Sequence, residues 1–305
     1  MAQTLNSKYL EQVGILIEVI PLISSDDRFA MKGGTAINLF LFDMPRLSVD
    51  IDLCYLPLVT REEALSDISD FIKNLSQKIN ALGLKTREKQ SVSGYESTLF
   101  ILSRTIEVKV EINLVVRGAA YKPILKSLVP QAQKLFKRDA DILCLDINDL
   151  FGGKICAALD RQHPRDFFDL YMYFKQFSYT RELHQTFIIY LLSSKRPMAE
   201  LIKPNFLDIR SLYKTQFKGM ATIDINCEAL EETRAKIFEI IPSFFTDKEK
   251  KFLISFKSGD PKWELFAIEN AQDFPSVKWK LYNIQNMTSK KREQALTLLE
   301  RKLQG

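Results

Sequence analysis

The sequence has few of the residues on which disulfide, zinc and histidine chemistry depend. Its 305 residues include four cysteines and two histidines, His163 and His184. The cysteines at 54, 144, 156 and 227 form no C-x-x-C pair, which argues against a zinc knuckle. Because four cysteines are also too few for a disulfide scaffold, the expected compartment is the reducing cytoplasm. Two histidines cannot supply a histidine-rich metal site.

Glycine, proline and long apolar runs are also scarce. Glycine and proline contribute 11 residues each, which excludes collagen-like and low-complexity sequences. The apolar stretch 13–22 contains Glu18 and Pro21 and is shorter than the ~20 residues that a membrane span needs. The N-terminal segment lacks the basic-then-apolar pattern of a signal peptide. No membrane partner is therefore expected.

The rest of the composition is that of a folded protein with a mild basic bias. Hydrophobic residues make up 46% and charged residues 27%. Domains of ~100–200 residues are usual, so a chain of this length suggests two. Lysine and arginine number 43 against 38 acidic residues, for a net charge of +5. This bias is compatible with a nucleotide or nucleic-acid partner.

The hydrophobic pattern changes near residue 145. Before it, segments 28–32, 48–53 and 105–115 predict strands, and 84–90 and 97–103 predict a strand pair around Ser93-Gly94. Helical patterns cover 7–20, where Pro21 is expected to end the helix, 35–42, and 60–81, where Thr60 and Glu63 fit a capping box. After residue 145 helical patterns dominate, and Trp263 and Trp279 are expected in the core. The predicted fold is α+β, with a mixed sheet and flanking helices over residues 1–145 and a mainly helical domain over 146–305.

Two aspartates stand two residues apart in the segment 48–53. On a strand, Asp50 and Asp52 point to the same face, and the intervening apolar side chains point to the core. Neighbouring carboxylates repel and raise each other's pKa, and a divalent cation removes that repulsion. Their hard oxygen ligands suit Mg²⁺. An ordinary solvated strand face is the other explanation of this short pattern.

A Lys32-Gly33-Gly34-Thr35 turn precedes the aspartates, between a predicted strand and a predicted helix. Two glycines allow a sharp turn and a close approach to a ligand. Backbone N–H groups at the start of the following helix favour an anion such as a phosphate. The spacing is neither that of a P-loop nor that of a dinucleotide-binding loop, and a plain turn is the alternative.

A third acid is available on the strand 105–115. Its even positions are aliphatic and its odd positions polar, so Glu107 and Glu111 share the polar face. Either residue is a candidate metal ligand beside Asp50 and Asp52. Glu111 is preferred because it lies deeper in the apolar strand.

A further charged group follows in the helical region. Lys154 and Arg161 are seven residues apart on one predicted helix and share a face, and Asp166 and Asp169 share a face of the next. In one interpretation Lys154 binds nucleotide phosphates, and Asp166 or Asp169 positions it. In the other, the four side chains form a salt-bridge network between two helices.

Taken in order, these features resemble a nucleotidyltransferase of the polymerase-beta type. There a glycine turn, an Asp-x-Asp strand and an acid on a later strand serve phosphoryl transfer with Mg²⁺. Residues 32–39 and 46–53 look like the AbiEii/AbiGii toxin family of nucleotidyltransferases, and 153–170 resembles that family's downstream motif. The resemblance implies a nucleotidyltransferase-type sheet, with the helical domain completing an active-site cleft.

The resemblance also implies an enzyme that transfers nucleotides from an NTP with release of pyrophosphate. Mg²⁺ is the implied metal, with Mn²⁺ as a possible substitute. Asp50, Asp52 and Glu111 are the implied metal ligands, and Asp166 the late acid, a role that Asp169 shares or replaces. The implied nucleotide-binding residues are Lys32, Gly33, Gly34, Thr35, Ser48 and Lys154, of which Lys154 is also counted as catalytic.

Finally, the resemblance implies a cytoplasmic toxin of a toxin–antitoxin or phage-defence system, with a cognate antitoxin as partner. The leading acceptor is RNA, above all the 3′ end of tRNA, and no DNA partner is expected. Alternatives are a protein hydroxyl, a small molecule such as an antibiotic, or nucleotide binding without catalysis. An RNA acceptor requires cations on one surface. The sequence offers them in basic runs at Lys122, Lys126, Lys134, Lys137, Arg138, Lys248, Lys250, Lys251, Lys257, Lys290, Lys291 and Arg292.

Overall fold

The computed structural model describes residues 6–90, 96–104 and 106–304, which form two compact units. The first contains the residues up to Leu150 together with Phe217–Ile225, and the second contains Phe151–Gln216 and the residues from Asn226 onward. The turn predicted around Ser93-Gly94 and the first residue of the predicted strand 105–115 lie outside the described residues.

Within the described residues, the first unit contains a seven-stranded mixed sheet. Its strands are β1 Phe29–Lys32, β2 Asp50–Tyr55, β3 Lys85–Gln90, β4 Glu96–Ser103, β5 Ile106–Ile112, β6 Ile124–Ser127 and β7 Asp141–Cys144. They are arranged in the order β3-β4-β5-β2-β1-β7-β6. The β2/β5 and β1/β7 pairs are parallel, and the other neighbours are antiparallel.

Helices flank this sheet. They are α1 Ser7–Ile23, α2 Gly33–Ala36, α3 Arg61–Ala81, α4 Pro130–Phe136 and the start of α5 Ile147–Arg161, and α2 continues into a π-helical turn over Ile37–Leu41. The predicted capping box of Thr60 and Glu63 is confirmed at the start of α3. The prediction that Pro21 ends α1 is wrong, because the helix includes it. Proline removes one backbone hydrogen bond, and α1 continues for only two residues beyond it.

One face of the sheet forms the core of the first unit. Ile106, Val108, Val110 and Ile112 of β5 are buried, which confirms the predicted alternation. Helices α1 and α3 pack against this side of the sheet. Burying an aliphatic side chain of this size contributes about 1.5–3 kcal/mol, so the alternation fixes which way each strand faces. The polar residues between them therefore lie on the opposite face.

The second unit is helical. After α5 it contains α6 Pro164–Gln176, α7 Arg181–Ser193, α8 Met198–Ile202, α9 Arg210–Leu212, α10 Cys227–Phe244, α11 Asp247–Ser258, α12 Pro275–Gln285 and α13 Ser289–Gln304. None of the helices in the described part of the chain is long and apolar enough to cross a membrane. The mixed sheet followed by helices confirms the predicted α+β fold.

The two tryptophans differ in their environments. Trp263 is partly buried against Phe252 and Phe256, as expected of a core residue. The same expectation is wrong for Trp279, which is 57% exposed and stacks on Tyr282, with ring centroids 5.7 Å apart. Val277 marks the buried side of α12, and the helical period turns Trp279 to the opposite side.

Candidate active site

The glycine turn and the aspartate strand meet at the end of β1. Lys32, the last residue of β1, is paired in register with Asp52 of β2. Gly33 follows with φ +71°, a conformation that favours glycine, and a Cβ atom there would lie 2.5 Å from Asp52 Oδ2. The backbone of the turn therefore lies against the Asp52 carboxylate, and no side chain fits between them.

Gly34 is required for a separate reason. A Cβ atom at this position would lie 2.6 Å from Arg46 Nη2 and 2.8 Å from Ser48 Oγ. The Arg46 side chain is buried and cannot move aside readily. The two glycines thus allow α2 to begin directly beside β2, where its first N–H groups have no partner within the helix.

Asp50 and Asp52 lie on the sheet face opposite the core. Ile51 and Leu53, which alternate with them, are fully buried, and the two aspartates are half-buried. The same-face prediction for the two aspartates is therefore confirmed. Asp50 is also held through its backbone, because the buried Thr35 hydroxyl donates a hydrogen bond to its carbonyl oxygen.

The two candidates for the third acid have different surroundings. Glu111 of β5 is paired in register with Asp52, so it lies one strand away from the aspartates on the same face. Glu107 lies farther along β5 and forms a 3.1 Å ion pair with Arg87 of β3. The strand pairing therefore favours Glu111, and its role as a metal ligand stays a prediction.

Lys109 lies among these acids, although nothing in the sequence pattern singles it out. It is paired in register with Asp50, and its Nζ forms an ion pair with Glu111. Burial alone would lower the pKa of the Lys109 ammonium, but the hydrogen bond to Glu111 and the charges of Glu111, Asp50 and Asp52 raise it. The three carboxylates thus act together on one cation, which shows how negative this part of the sheet is.

The carboxylates fit a magnesium ion that is shared with a nucleotide. Among the described residues, no three histidine, cysteine or acidic side chains are close enough together to hold a metal ion by themselves. Mg²⁺ commonly needs only one or two protein carboxylates and takes its other oxygens from water and substrate phosphates. Asp50 and Asp52 are a pair of carboxylates of this kind, and their role as metal ligands stays a prediction.

The side chains of Arg46 and Ser48 pack against the glycine turn. Ser48 Oγ lies 3.1 Å from the Thr35 hydroxyl, and Arg46 Nη1 donates a 3.0 Å hydrogen bond to the Leu47 carbonyl oxygen. The backbone at Arg46 also forms a bridge with Ala221, which lies in the late segment of the first unit. Arg46 stands in the motif run 46–53, but only the structure shows that it lies against Gly34.

The second unit contains the other predicted cluster. Lys154 of α5 forms 3.0 Å ion pairs with Asp166 and with Asp169 of α6. Arg161 Nε lies 2.7 Å from Asp166. Both aspartates are fully buried and Lys154 is buried, whereas the Arg161 side chain is 61% exposed. The interhelical salt-bridge network is therefore present.

The charges of this network hold Asp166 in its ionised form. Burial alone would raise the pKa of the Asp166 carboxyl, but Lys154 and Arg161 hold it well below its usual range. The Lys154 ammonium is already paired with two carboxylates. Its role as a phosphate ligand remains a prediction beside the structural role that the contacts show.

The basic runs in the sequence include one residue that cannot contact a phosphate. Lys257 of α11 is buried, and burial lowers the pKa of its ammonium. Its place in a basic run as a candidate RNA contact is therefore wrong. Helical periodicity turns it inward, whereas Lys248 and Lys251 on the same helix are exposed.

The mixed sheet, with a Gly-Gly turn that begins a helix beside an Asp-x-Asp strand, is the arrangement that the resemblance to nucleotidyltransferases implies. A family model described as "Nucleotidyl transferase AbiEii toxin, Type IV TA system" matches residues 15–281. The chain belongs to this family, and the resemblance found in its motifs is confirmed. It is accordingly a nucleotidyltransferase toxin of a type IV toxin–antitoxin system.

A solved structure shows the same fold over nearly the whole chain. It is that of MenT4, a nucleotidyltransferase toxin from Mycobacterium tuberculosis H37Rv, with a TM-score of 0.62 and 14% sequence identity. The match covers 96% of this chain and 93% of that chain. No curated protein matches the sequence.

Proposed function

We propose that this toxin transfers nucleotides from an NTP to an RNA acceptor, above all the 3′ end of tRNA, in a Mg²⁺-dependent reaction. The observation that carries the proposal is the contact between the Gly33 backbone and the Asp52 carboxylate. Phosphate-binding N–H groups and metal-binding carboxylates must be this close to act on one triphosphate.

In this proposal the chain's own residues bind and orient the donor. Asp50 and Asp52 hold the metal, and Glu111 of β5, which pairs with Lys109 in this structure, is the candidate third carboxylate. The turn at Gly33 and Gly34, together with Lys32, Thr35 and Ser48, binds the triphosphate. Because the Thr35 hydroxyl donates its hydrogen bond to the Asp50 carbonyl oxygen, Thr35 contributes its backbone N–H to the triphosphate. Bound Mg²⁺, or Mn²⁺ in its place, supplies positive charge against the phosphate oxygens.

The reaction itself is a displacement at the α-phosphate. The acceptor hydroxyl oxygen forms a bond to the α-phosphorus and gives up its proton to solvent, the bond from that phosphorus to the bridging oxygen of the β-phosphate breaks, and pyrophosphate leaves. Such transfers depend mainly on positioning and electrostatic stabilisation. Lys154, held by Asp166 and Asp169, is proposed to bind phosphate, and Asp166 to keep its ammonium in place.

The proposal includes partners and a compartment. Membership of a type IV toxin–antitoxin family implies a cognate antitoxin. We place the reaction in the cytoplasm, where tRNA and NTPs are available, and expect neither DNA nor a membrane to take part. A protein or small-molecule acceptor would need no extended cationic surface.

A labelling experiment tests this function. The protein is incubated with total cellular extract, Mg²⁺ and each α-labelled NTP in turn. The expected product is labelled small RNA, and Asp52→Asn should abolish it. Asp70→Asn, at an exposed aspartate of α3, is the matched control and should keep full activity. Label on protein or small molecules instead of RNA would contradict the acceptor, and no label with any NTP would contradict catalysis.

A further inference from the structure

The face of the sheet that carries the aspartates also carries a row of cations on its outermost strand. Lys85, Arg87 and Lys89 alternate along β3, and we refer to these three residues as the cationic strip. All three are exposed. No positive charge stands at the two positions between them, which Thr86 and Glu88 occupy and which point to the other face.

Strand register shows that the cationic strip shares a face with the carboxylates. Lys89 is paired with Thr98 of β4, Thr98 with Glu111 of β5, and Glu111 with Asp52 of β2. Paired residues of neighbouring strands point to the same side of a sheet. At about 4.8 Å per strand, the strip lies about 14 Å from the aspartates across the sheet.

Two contacts with residues of β4 and β5 hold the Arg87 side chain of the strip in place. Its guanidinium lies 4.2 Å from the ring centroid of Phe100, and Nη2 lies 3.1 Å from Glu107 Oε2. The Arg87 side chain is nevertheless 55% exposed. A flat guanidinium that is stacked on a ring and still open to solvent is well suited to bind a phosphate through its remaining donors.

We propose that the cationic strip binds the phosphate backbone of the RNA acceptor as it leads to the carboxylates. The proposal rests on the proposed function, since it assumes an RNA acceptor. Charge complementarity supports it, and so does the continuous face between strip and active site. Phosphate contacts of this kind position an RNA without reading its sequence.

An edge strand can carry charges for another reason, which is to prevent pairing with a second sheet edge. Strand β3 is the outermost strand of the described sheet, so this explanation applies to it. Protection of an edge does not require all the cations to share the face of the aspartates. RNA binding does require it, and this difference makes the two explanations separable by experiment.

The test compares the wild-type chain with a triple Lys85→Ala, Arg87→Ala, Lys89→Ala variant. Binding of fluorescent tRNA is measured over a range of salt concentrations, and transfer is measured at varied tRNA and NTP. We expect at least tenfold weaker tRNA binding and a salt slope lower by about 2, since each phosphate contact contributes about 0.7–0.9. The KM for tRNA should rise, while kcat and the KM for NTP stay unchanged.

Two control variants accompany the triple variant. Glu88→Ala changes β3 on its other face and should leave tRNA binding unchanged. A second triple variant, Lys195→Ala, Lys236→Ala, Lys262→Ala, removes the same charge from exposed positions of the helical unit that lie outside the basic runs. Equal loss of tRNA binding in both triple variants would show an effect of net charge alone and overturn the proposal.

The remaining outcomes separate this proposal from the proposed function. If wild type labels RNA and the strip variant binds and labels tRNA equally well, the strip proposal fails and the RNA acceptor stands. If the strip variant self-associates but keeps its tRNA affinity, β3 is protected as an edge only, and the strip proposal again fails. If wild type labels no RNA, the proposed function fails first and the strip proposal with it.

Discussion

At Gly33 the backbone lies so close to the Asp52 carboxylate that a Cβ atom would be 2.5 Å from its Oδ2. Gly33 combines a positive φ with a Cβ position that would lie too close to Asp52 Oδ2. Gly83 has a similar φ of +83°, but a Cβ atom there would meet nothing within 4 Å. Substitutions at Gly33 and Gly83 can therefore separate the cost of backbone strain from the effect of crowding the active site.

We predict that Gly33→Ala abolishes transfer, whereas Gly83→Ala does not. Both variants should lose about 1–2 kcal/mol of unfolding free energy, because alanine is strained at positive φ. Only Gly33→Ala displaces the Asp52 carboxylate, so only this variant should lose at least a hundredfold in kcat/KM for NTP. Urea unfolding and the labelling assay measure the two effects. Full activity of Gly33→Ala would show that the turn does not act with Asp52.

At the scale of secondary-structure elements, buried ion pairs and buried polar groups join the helices of the second unit. Lys154 connects α5 to α6 through two buried carboxylates. His184 of α7 is also buried, with its Nδ1 2.8 Å from the Tyr179 hydroxyl. The Lys154 network yields a prediction for mutation, and buried His184 yields one for pH.

For Lys154→Ala, the structure predicts a different effect on stability from the one that the sequence alone suggests. From the sequence we expect Lys154→Ala to weaken NTP binding more than it lowers the melting temperature. Because Lys154→Ala removes a buried cation from beside two fully buried carboxylates, we now predict a loss of about 3–5 kcal/mol of unfolding free energy. Arg161→Ala, which removes an exposed partner of Asp166, should cost less. Equal losses in the two variants, measured by urea unfolding, would contradict a buried network centred on Lys154.

For His184 we predict acid-sensitive stability. Burial and the nearby Arg181 lower the pKa of His184 to about 3, although the Glu249 carboxylate lies 3.9 Å from its Nε2. Since the folded pKa is below the unfolded value, the stabilisation is complete above the unfolded pKa of about 6.5 and is lost as the pH falls toward 3. Between pH 7 and 5 the loss is about 2 kcal/mol. His184→Gln should lose correspondingly less over this interval, and an identical loss in both proteins would contradict the prediction.

At the scale of the whole molecule, the sequence predicts the parts of the site that depend on local patterns. It does not predict the parts that depend on pairing between distant strands. Strand alternation is local, so the shared face of Asp50 and Asp52 could be predicted from the sequence. The place of Glu111 beside Asp52 depends on β2 pairing with β5, and these strands are separated by α3 and a hairpin. The bridge from Arg46 to Ala221 connects still more distant residues, and no local period encodes it.

The same distinction holds for the helical unit and the cationic strip. Periodicity identifies helices but not which side of a helix has a partner, so it does not predict the exposure of Trp279. The strip residues stand at alternate positions of β3, and the sequence shows this spacing. That they share a sheet face with the aspartates becomes clear only from the pairing of β3, β4, β5 and β2. Sequence thus predicts which residues share a strand face, and topology decides which faces are joined.

Above all, we propose that Asp50 and Asp52 hold a divalent metal together with the nucleotide bound at the glycine turn. The most direct measurement is Mn²⁺ binding by electron paramagnetic resonance, with and without a non-hydrolysable NTP analogue, in wild type, Asp52→Asn and Asp70→Asn. We predict that the analogue tightens Mn²⁺ binding to wild type and Asp70→Asn at least tenfold and leaves Asp52→Asn weak. Equal Mn²⁺ binding by all three proteins in the presence of the analogue would contradict the account.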